Sequence, residues 1–266
     1  MMTALRQETY YHVYRDRQSW IFHLAYMRLS KVFALLYTIE QQGLVLQGNS
    51  IFDYGFGAGT FLRHCPRQSR LFGVELDPVN VESVKESLNR MGYAHVDLQA
   101  IDQERWDEHE LLRGRYDVIV VSHVLEHLKQ PADVLKRLLS CLTPEGFLVA
   151  AVPINELLAH QNHEWVVDKD LVEDWAKAAN ARIEGYWELD HFTYYALPVF
   201  ERRSAIGRIA AQGVSLALGL AAALLGKRLW FRLSTLFGRV TGAKPAQAVF
   251  HMRPLSASGA SLEKVL

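Results

Sequence analysis

The chain has 266 residues, of which 50% are apolar and 22% are charged, and this balance excludes a disordered or low-complexity protein. Its formal net charge is zero, but nine Lys or Arg residues and no Asp or Glu lie between Arg202 and Leu262. The first 201 residues consequently hold 19 basic and 28 acidic side chains. The basic C-terminal quarter predicts contact with an anionic surface.

Two cysteines, Cys65 and Cys141, are too few for a disulfide framework, and we expect both to be reduced thiols. Residues 1–17 are polar and contain no apolar stretch of the kind that a secretory signal needs. Both observations favour a cytoplasmic location.

The first predicted element is a helix from about residue 8 to 42, in which apolar side chains recur at spacings of three and four. Gly43 interrupts this pattern, and a turn at Gly48 leads into the apolar pair Ile51–Phe52. We therefore assign 1–47 to an N-terminal helical cap and place the main domain after it.

The segment Ser50–Leu62 predicts a strand, a tight glycine turn and the start of a helix. Asp53 ends the strand, and Gly55, Gly57 and Gly59 follow at alternate positions. Glycine adopts backbone angles that other residues avoid, and it lets a ligand come close to the main chain.

Four further strands alternate with helices, which predicts an open, mostly parallel sheet with helices on both faces. In such a sheet, ligands bind beyond the carboxyl ends of the strands. The predicted strands are Leu71–Glu75, His95–Ala100, Tyr116–Val121 and Phe147–Val152; the predicted helices are Pro78–Met91 and Ala132–Leu142, with a turn at Pro144–Gly146.

Polar side chains stand at the carboxyl ends of the first four predicted strands, where a ligand would bind. A carboxylate at such a place can bind a vicinal diol through two hydrogen bonds, so Glu75 is a candidate for holding a ribose. A nicotinamide dinucleotide stays open as the ligand, because Glu75 lies at the distance from the glycine turn that such enzymes use. The polar residues are Asp53 after the first strand, Glu75 after the second, Asp102 after the third, and Ser122 with His123 after the fourth.

Together these segments resemble the class I S-adenosylmethionine-dependent methyltransferases. Within that class, the chain is most similar to the branch of ubiquinone-biosynthesis O-methyltransferases and bacterial methyltransferases of glycan and natural-product pathways. Two departures, Phe56 in place of a usual cysteine and Ile154 before Asn155, remove no ligand-binding atom. The matching stretches are Ile51–Leu62, Leu71–Pro78, Tyr116–Leu128 and Pro144–Pro153, which cover the region from about 50 to 153.

The resemblance implies S-adenosyl-L-methionine as the cofactor and S-adenosyl-L-homocysteine as the product. It also implies an α/β, Rossmann-like fold, a doubly wound seven-stranded sheet whose last strand is antiparallel. The glycine backbone would approach the methionine and ribose, Asp53 would organise the turn, Glu75 would accept both ribose hydroxyls, and Asp102 would bind the adenine amino group. The alternative is that Asp102 is only a turn residue. Asp77, near Glu75, can likewise be only the N-cap of the helix that begins at Pro78. The implied cofactor-binding residues are Asp53, Gly55, Gly57, Gly59, Glu75, Asp102 and Ser122.

The segment after the fourth strand, His123-Val-Leu-Glu-His127, offers groups that can handle a proton. Methyl transfer to a hydroxyl requires alignment of the acceptor and removal of its proton. We expect His123, Glu126 and His127 to share one face of a helical turn.

In the ubiquinone branch and in small-RNA 2′-O-methyltransferases, a similar Glu-x-x-Glu-His segment and a later histidine hold a metal ion. Here His123 replaces the first glutamate, and His160 or His163 is the candidate later histidine. The alternative is that Glu126 and His127 only cap and pack while one histidine acts as a metal-free base. The candidate catalytic residues, which are also the candidate ligands of magnesium or zinc, are His123, Glu126, His127 and His163.

Beyond the fifth strand, Asp168–Asn180 predicts an amphipathic helix and Arg182–Leu189 a sixth strand. The resemblance implies an antiparallel seventh strand, for which Gln247–Met252 is our choice and Thr193–Val199 the alternative. This divides the chain into a cofactor-binding core of 48–200, an apolar and basic helical insertion of 201–245, and a last strand with a flexible tail, 246–266.

Residues 209–226 are apolar over nearly the length of a transmembrane helix. One crossing would separate two strands of the same sheet, so we expect a helix or helical hairpin that lies in the membrane interface, anchored by Trp230 and arginines. Residues 203–232 would then bind anionic lipid, and the protein would be peripheral on the inner face of the membrane. The alternative is a lid or a homodimer helix. Nucleic acid is not an expected partner, because the basic segment lacks an exposed stacking pattern of aromatic residues.

The leading hypothesis is an O-methyltransferase that acts on a hydroxyl of a sugar or glycan, a lipid-linked molecule or a quinol-like molecule. A second hypothesis is methyl transfer to nitrogen or carbon of a soluble metabolite. A third is a methyltransferase-like partner protein without activity.

Overall fold

The computed structural model describes residues 23–102, 104–155, 163–194 and 205–255, and it excludes the side chains of 205–209. Three predicted features lie outside these ranges: the part of the first helix before residue 23, the candidate ligand His160 and the tail after residue 255.

Seven strands form one mixed sheet: β1 Ser50–Tyr54, β2 Arg70–Glu75, β3 His95–Ala100, β4 Tyr116–Ser122, β5 Leu142–Pro153, β6 Ala181–Leu189 and β7 Gln247–Pro254. Their order across the sheet is β3-β2-β1-β4-β5-β7-β6. The first five strands pair in parallel, and β7 is antiparallel to both β5 and β6. The predicted fold, including the antiparallel last strand and its position in the chain, is confirmed.

The order of strands reverses between β1 and β4, which is where a doubly wound sheet opens a crevice for a ligand. Tyr54 at the end of β1 pairs with Val121 near the end of β4. The segments that follow these two strands therefore begin side by side.

In the described ranges, six α-helices accompany the sheet: α1 Tyr26–Gln41, α2 Thr60–His64, α3 Pro78–Arg90, α4 Pro131–Ser140, α5 Lys169–Ala178 and α6 Ala205–Thr241. Aspartates fix the starts of two of them. Asp77 accepts a hydrogen bond from the N–H of Val79 (2.9 Å), and Asp168 accepts one from the N–H of Leu171 (2.9 Å).

The sheet separates two apolar clusters, one on each face. Ile51 and Phe52 are both fully buried, yet they belong to opposite clusters because successive side chains of a strand point to opposite faces. Burial on both faces explains why the central strands are apolar at nearly every position.

The predicted turn at Pro144–Gly146 is wrong, because β5 runs through these residues. Leu142 pairs with Tyr116 and Phe147 pairs with Val118, so β5 has extra residues between two paired positions. The register shift accommodates them as an irregularity of the strand, which local turn chemistry does not distinguish from a true turn.

Helix α6 folds back over α1 and bends at Gly226, where φ is 71° and ψ is 156°. Ser215 Oγ accepts a hydrogen bond from the N–H of Tyr26 (3.1 Å), and Ser234 Oγ accepts one from the N–H of His191 (2.8 Å). Both halves of α6 are thus attached to the domain, as an outer layer beyond α1.

The segment Ala210–Thr241 is the one helix in the described ranges that is long and apolar enough to cross a membrane. A soluble core helix would be mostly buried, whereas 28% of this apolar window is buried. The predicted role of Trp230 as a membrane anchor is wrong. Its side chain is 4% exposed and packs against Tyr26 and Phe192, because it lies on the inner face of α6.

Candidate functional site

The turn between β1 and α2 has three glycines with left-handed backbone angles: φ is 74° at Gly55, 54° at Gly57 and 69° at Gly59. An added Cβ on Gly55 would lie 2.6 Å from Cγ2 of Val124, and one on Gly59 would lie 2.4 Å from Cγ1 of Val84. A Cβ on Gly57 would meet nothing within 4 Å. Gly57 therefore faces open space, and it is the position where a ligand can reach the backbone.

Glu75 reaches this turn from the end of β2. Its Oε2 accepts a hydrogen bond from the N–H of Gly57 (2.7 Å), and its Oε1 accepts one from the N–H of Leu76 (2.8 Å). Burial raises the pKa of the Glu75 carboxyl, while the backbone donors act in the opposite direction. The carboxylate thus lies at the rim of the open space beside Gly57.

Asn80 is a further residue of this site that the sequence does not reveal. Its buried side chain donates a hydrogen bond to the carbonyl oxygen of Gly57 (3.1 Å). Since Glu75 binds the N–H of the same glycine, both polar groups of Gly57 are held by side chains. An asparagine inside a helix carries no local signal for such a role.

Asp53 lies beneath the turn and is 2% exposed, and its Oδ1 has no hydrogen-bond partner among the described residues. Burial, followed by the charge of Glu75, raises the pKa of Asp53 to about 8. The carboxyl group is therefore mostly neutral at pH 7. Burial of a carboxyl group without hydrogen-bond donors lowers the stability of the fold. Carboxyl groups with such shifted pKa values are concentrated at binding sites.

Two other predicted cofactor residues lie at neighbouring strand ends. Asp102 is exposed, and its Oδ1 accepts a hydrogen bond from the N–H of Glu104 (2.9 Å), as expected of a turn residue. Its contact with an adenine stays a prediction. Ser122 is half-buried at the end of β4, next to Ala151 of β5.

The turn after β4 differs from the predicted helical face. His123 has a φ of 54°, and a single 3₁₀ turn, Leu125–His127, follows it. The prediction that His123, Glu126 and His127 share one helical face is wrong, because the left-handed residue breaks the helix. The three side chains nevertheless converge: Nδ1 of His123 lies 3.5 Å and Nε2 of His127 lies 3.9 Å from Oε1 of Glu126.

Glu126 is 1% exposed, and its Oε2 has no hydrogen-bond partner in the described part of the chain. Burial alone would raise the pKa of Glu126, but the hydrogen bond from His123 and the nearby imidazoles hold it below its ordinary value. A buried carboxylate with one unsatisfied oxygen is prepared to bind a proton donor or a cation.

Three of the four predicted metal ligands come together. Ligand atoms of Glu126, His127 and His163 all lie within 4.8 Å of one another. The N–H of Glu164 donates to the carbonyl oxygen of Glu126 (2.8 Å) and holds the loop that carries His163. Two imidazoles and one carboxylate fit a divalent ion, and they suit zinc better than magnesium. His123 is not a member of this group of three.

His123 is instead held from its other side by β7. Its Nε2 lies 3.4 Å from Oε1 of Gln247, whose Nε2 donates to the carbonyl oxygen of Ser30 in α1 (3.4 Å). Burial, followed by the charge of Lys31, lowers the pKa of His123. Gln247 lies 124 positions away along the chain, and no local pattern identifies it.

The two turns are in contact with each other. The side chain of Val124 fills the space beside Gly55, where a Cβ would otherwise lie. The group of Glu126, His127 and His163 thus begins two residues from the wall of the glycine turn. The two turns therefore lie side by side at the carboxyl ends of β1 and β4.

Comparison with known proteins identifies the family of the chain. A family model described as a methyltransferase domain matches residues 29–203, which is more than half of the chain. The ubiquinone biosynthesis O-methyltransferase of Acinetobacter baylyi is 23% identical over 134 residues, which are 48% of this chain and 53% of that protein. A 23S rRNA (uracil(747)-C(5))-methyltransferase of Proteus mirabilis is 38% identical over 58 residues, 21% of this chain and 15% of that protein. The chain spans about half, or less, of the length of these curated relatives.

Solved structures with the same fold include coclaurine N-methyltransferase bound to N-methylheliamine and SAH, with a TM-score of 0.56, 14% identity, and coverage of 84% of this chain and 72% of that one. Phosphoethanolamine N-methyltransferase 2 of Haemonchus contortus, in complex with S-adenosyl-L-methionine, has a TM-score of 0.56 and 14% identity and covers 90% of this chain and 58% of that one. The [4+2]-cyclase SpnF is similar at a TM-score of 0.55 and 16% identity, over 85% of this chain and 81% of its own. At such identities these structures show the fold alone. The match to the family model shows that the chain belongs to the methyltransferase domain family.

Proposed function

We propose that this protein transfers a methyl group from S-adenosyl-L-methionine to a hydroxyl group of its acceptor. The observation that carries the proposal is the contact between two turns, through Val124 against Gly55. One turn has three left-handed glycines beside the Glu75 carboxylate, and in the other Glu126 and His127 lie near His163 of a later loop, a group that can accept a proton.

The cofactor, when bound, supplies a methyl group on a sulfonium. Glu75 would accept hydrogen bonds from the ribose hydroxyls, and Gly57 would let the ligand contact the backbone. Asp53 would become a carboxylate beneath the cationic ligand, which would reverse the raised pKa that burial causes. Family membership and the fold shared with a methyltransferase in complex with S-adenosyl-L-methionine support this choice of cofactor.

A hydroxyl acceptor must lose its proton as the new C–O bond forms and the C–S bond breaks, with the electron pair of that bond staying on sulfur. His127 has a side chain that is 35% exposed, so it can face an acceptor while Glu126 supports it from the interior. The proton passes to this pair. A divalent ion held by Glu126, His127 and His163 would lower the pKa of the acceptor hydroxyl instead.

A neutral amine attacks through its lone pair and loses its proton only afterwards, whereas a hydroxyl needs a proton acceptor as it attacks. The carboxylate and imidazoles therefore favour oxygen as the methylated atom. The similarity to a ubiquinone biosynthesis O-methyltransferase supports the same choice, at 23% identity. We propose a quinol-like molecule, or a sugar or glycan hydroxyl with or without a lipid carrier, as the acceptor class.

Calorimetry with S-adenosyl-L-methionine tests the cofactor. Glu75→Ala removes two charge-assisted hydrogen bonds and should weaken binding by about 10- to 100-fold. Glu82→Ala, at an exposed position of α3, is the matched control and should bind as the wild type does. Equal affinity of all three proteins would overturn the cofactor assignment.

Methyl transfer from labelled cofactor to paired acceptors tests the methylated atom. A catechol or quinol, a glycan and a lipid-linked sugar should be labelled, while amine analogues of the same compounds should not. Labelling of the amines alone would reject the hydroxyl proposal.

Native mass spectrometry tests the metal. It should show zinc bound to the wild type and no zinc bound to the His163→Ala variant. Full turnover by metal-free protein would reject a metal role and leave His127 as the base.

A further inference from the structure

The outer face of α6 exposes large apolar side chains along its whole described length. Its inner face is buried against the domain, with Ala222 fully buried and Phe231 1% exposed. We define the α6 outer face as the exposed residues Val214, Leu220, Leu224, Leu225, Leu229, Leu233, Leu236 and Val240. Large exposed apolar surfaces of this kind mark interaction sites.

In the second half of α6, the outer face is one regular line. Leu229, Leu233, Leu236 and Val240 are 45%, 39%, 56% and 78% exposed, and they are separated by four, three and four positions. Residues at such spacings lie above one another on a helix. The line is therefore continuous, and a flat apolar medium can cover all of it at once.

A second line, of arginines, runs beside the first. Arg228, Arg232 and Arg239 are exposed, and each precedes a residue of the apolar line by one position. One position corresponds to about 100° around a helix, so the arginines flank the apolar line on one side. Arg228 contacts Glu40, whereas no carboxylate pairs with Arg232 or Arg239 within the described ranges.

We propose that the α6 outer face binds the surface of an anionic lipid bilayer. The apolar line would enter the boundary between headgroups and acyl chains, and the arginines would contact lipid phosphates. Arg228, Arg232 and Arg239 are exposed beside the apolar line, and the sequence has no acidic residue between 202 and 262, so the charge of this face is complementary to anionic lipid.

A second copy of the chain is a poorer occupant for the same reason. A twofold dimer through this face would bring the arginine lines of both copies together, and of these arginines Arg228 alone contacts a described carboxylate, that of Glu40. Like charges brought together in this way oppose association.

The helix lies on the membrane and does not cross it. Leu189 at the end of β6 pairs with Gln247 at the start of β7, so the chain returns to its starting place after α6. The bend at Gly226 is fixed too, because Glu40 of α1 binds Lys227 at 2.5 Å and Arg228 at 3.1 Å. A hairpin inserted into the bilayer would have to break these contacts and expose the buried inner face.

Co-sedimentation of the full-length protein with vesicles tests the proposal. One set of vesicles is phosphatidylcholine alone, and the other is phosphatidylcholine mixed with phosphatidylglycerol. The wild type should bind the mixed vesicles but not the neutral ones, and added salt should weaken the binding. Arg232→Gln with Arg239→Gln should reduce binding about tenfold or more, since each basic residue near an anionic surface contributes about fivefold.

The apolar line is tested by Leu233→Glu with Leu236→Glu, which should reduce vesicle binding about tenfold or more. Both positions are exposed, so the fold should survive, and cofactor affinity reports that it does. Val45→Glu, at a 61% exposed valine after α1, is the matched control and should bind vesicles normally. This readout does not depend on methyl transfer.

Four outcomes would overturn the proposal. They are a wild type that ignores both vesicle types, equal binding to neutral and anionic vesicles, a double glutamate variant that binds as well as the wild type, and a dimer in sedimentation velocity that this variant converts to a monomer without any effect on vesicles.

Discussion

The glycine turn and the turn after β4 lie against each other, but they position their functional groups by different means. The glycine turn uses backbone: the angles of its glycines and the peptide groups of Gly57, held by Glu75 and Asn80. The turn after β4 uses side chains, because Glu126 lies among the imidazoles of His123 and His127 from its own turn and of His163 from a distant loop.

This difference has a physical consequence. A site built from backbone tolerates most side-chain changes but not a change of backbone angles, so damage to it should reduce stability and cofactor binding together. A site built from side chains can lose one group while the backbone stays in place. Damage there should remove turnover and leave cofactor binding intact.

The largest expected effect follows from Glu126→Gln. The substitution keeps the shape of the buried side chain but removes its charge, and loss of acid–base assistance should lower turnover about 10²- to 10⁴-fold. Affinity for S-adenosyl-L-methionine, measured by calorimetry, should stay at the wild-type value. Glu164→Gln is the control, because this exposed neighbour contributes only its backbone N–H to the site. A parallel fall in cofactor affinity would contradict the inference that the turn after β4 serves turnover and not cofactor binding.

Gly55→Ala should have the next largest effect, and it should reduce stability and cofactor binding rather than turnover alone. The left-handed backbone and a contact of 2.6 Å with Val124 both oppose the new methyl group, so the free energy of unfolding should fall by about 2–3 kcal/mol. Gly57→Ala shares the backbone cost but meets no neighbour, so its loss should be about 1–2 kcal/mol.

Urea unfolding of the Gly55→Ala, Val124→Ala double variant sharpens this prediction. Removal of the valine methyl groups relieves the collision but not the backbone strain, so the double variant should recover part of the loss. If the effects of the two substitutions on the free energy of unfolding simply add, Val124 does not collide with the new methyl group at position 55.

The same contrast explains how far the sequence could predict this molecule. The five parallel strands, the glycine turn and Glu75 follow from local patterns, and the structure has them in the expected places. Local patterns failed where long-range contacts decide. The bend at His123, the burial of Trp230 and the strand through Pro144–Gly146 depend on neighbours across the sheet or in α1.

Residues whose role comes only from a distant partner carried no signal at all. Gln247 reaches His123 because β7 inserts between β5 and β6, and Asn80 reaches Gly57 because α3 packs beside the glycine turn. Neither residue belongs to a motif. Predicting them requires the complete strand order rather than any stretch of the chain.

A smaller effect is expected from Asp53→Asn. This substitution tests whether the buried carboxyl lowers the stability of the cofactor-free protein and whether the bound cofactor offsets that loss. Its pKa of about 8 in the folded state lies above the unfolded value of 3.8, so the folded protein binds the extra proton between these values. The stability of the wild type should therefore fall as pH rises from about 4 to 8.

Urea unfolding without cofactor should show this slope in the wild type and a weaker one in Asp53→Asn. The variant should be more stable than the wild type by about 1 kcal/mol or more at pH 8, with a smaller gain at pH 5. It should also bind S-adenosyl-L-methionine less tightly, since the cation loses a carboxylate. An unchanged pH slope in the variant would show that another group causes the loss of stability.

The smallest expected effect is that of Asp102→Ala, and it separates two carboxylates that stand at equivalent strand ends. Glu75 is bound to the backbone of the glycine turn, whereas Asp102 is exposed and caps its own turn through Glu104. Loss of an exposed turn contact should change stability by about 0.5 kcal/mol or less. A fall in cofactor affinity of about tenfold would instead show that Asp102 turns toward the adenine when the cofactor binds. Glu104→Ala keeps the backbone N–H whose hydrogen bond Asp102 accepts, so it is the control and should bind the cofactor as the wild type does.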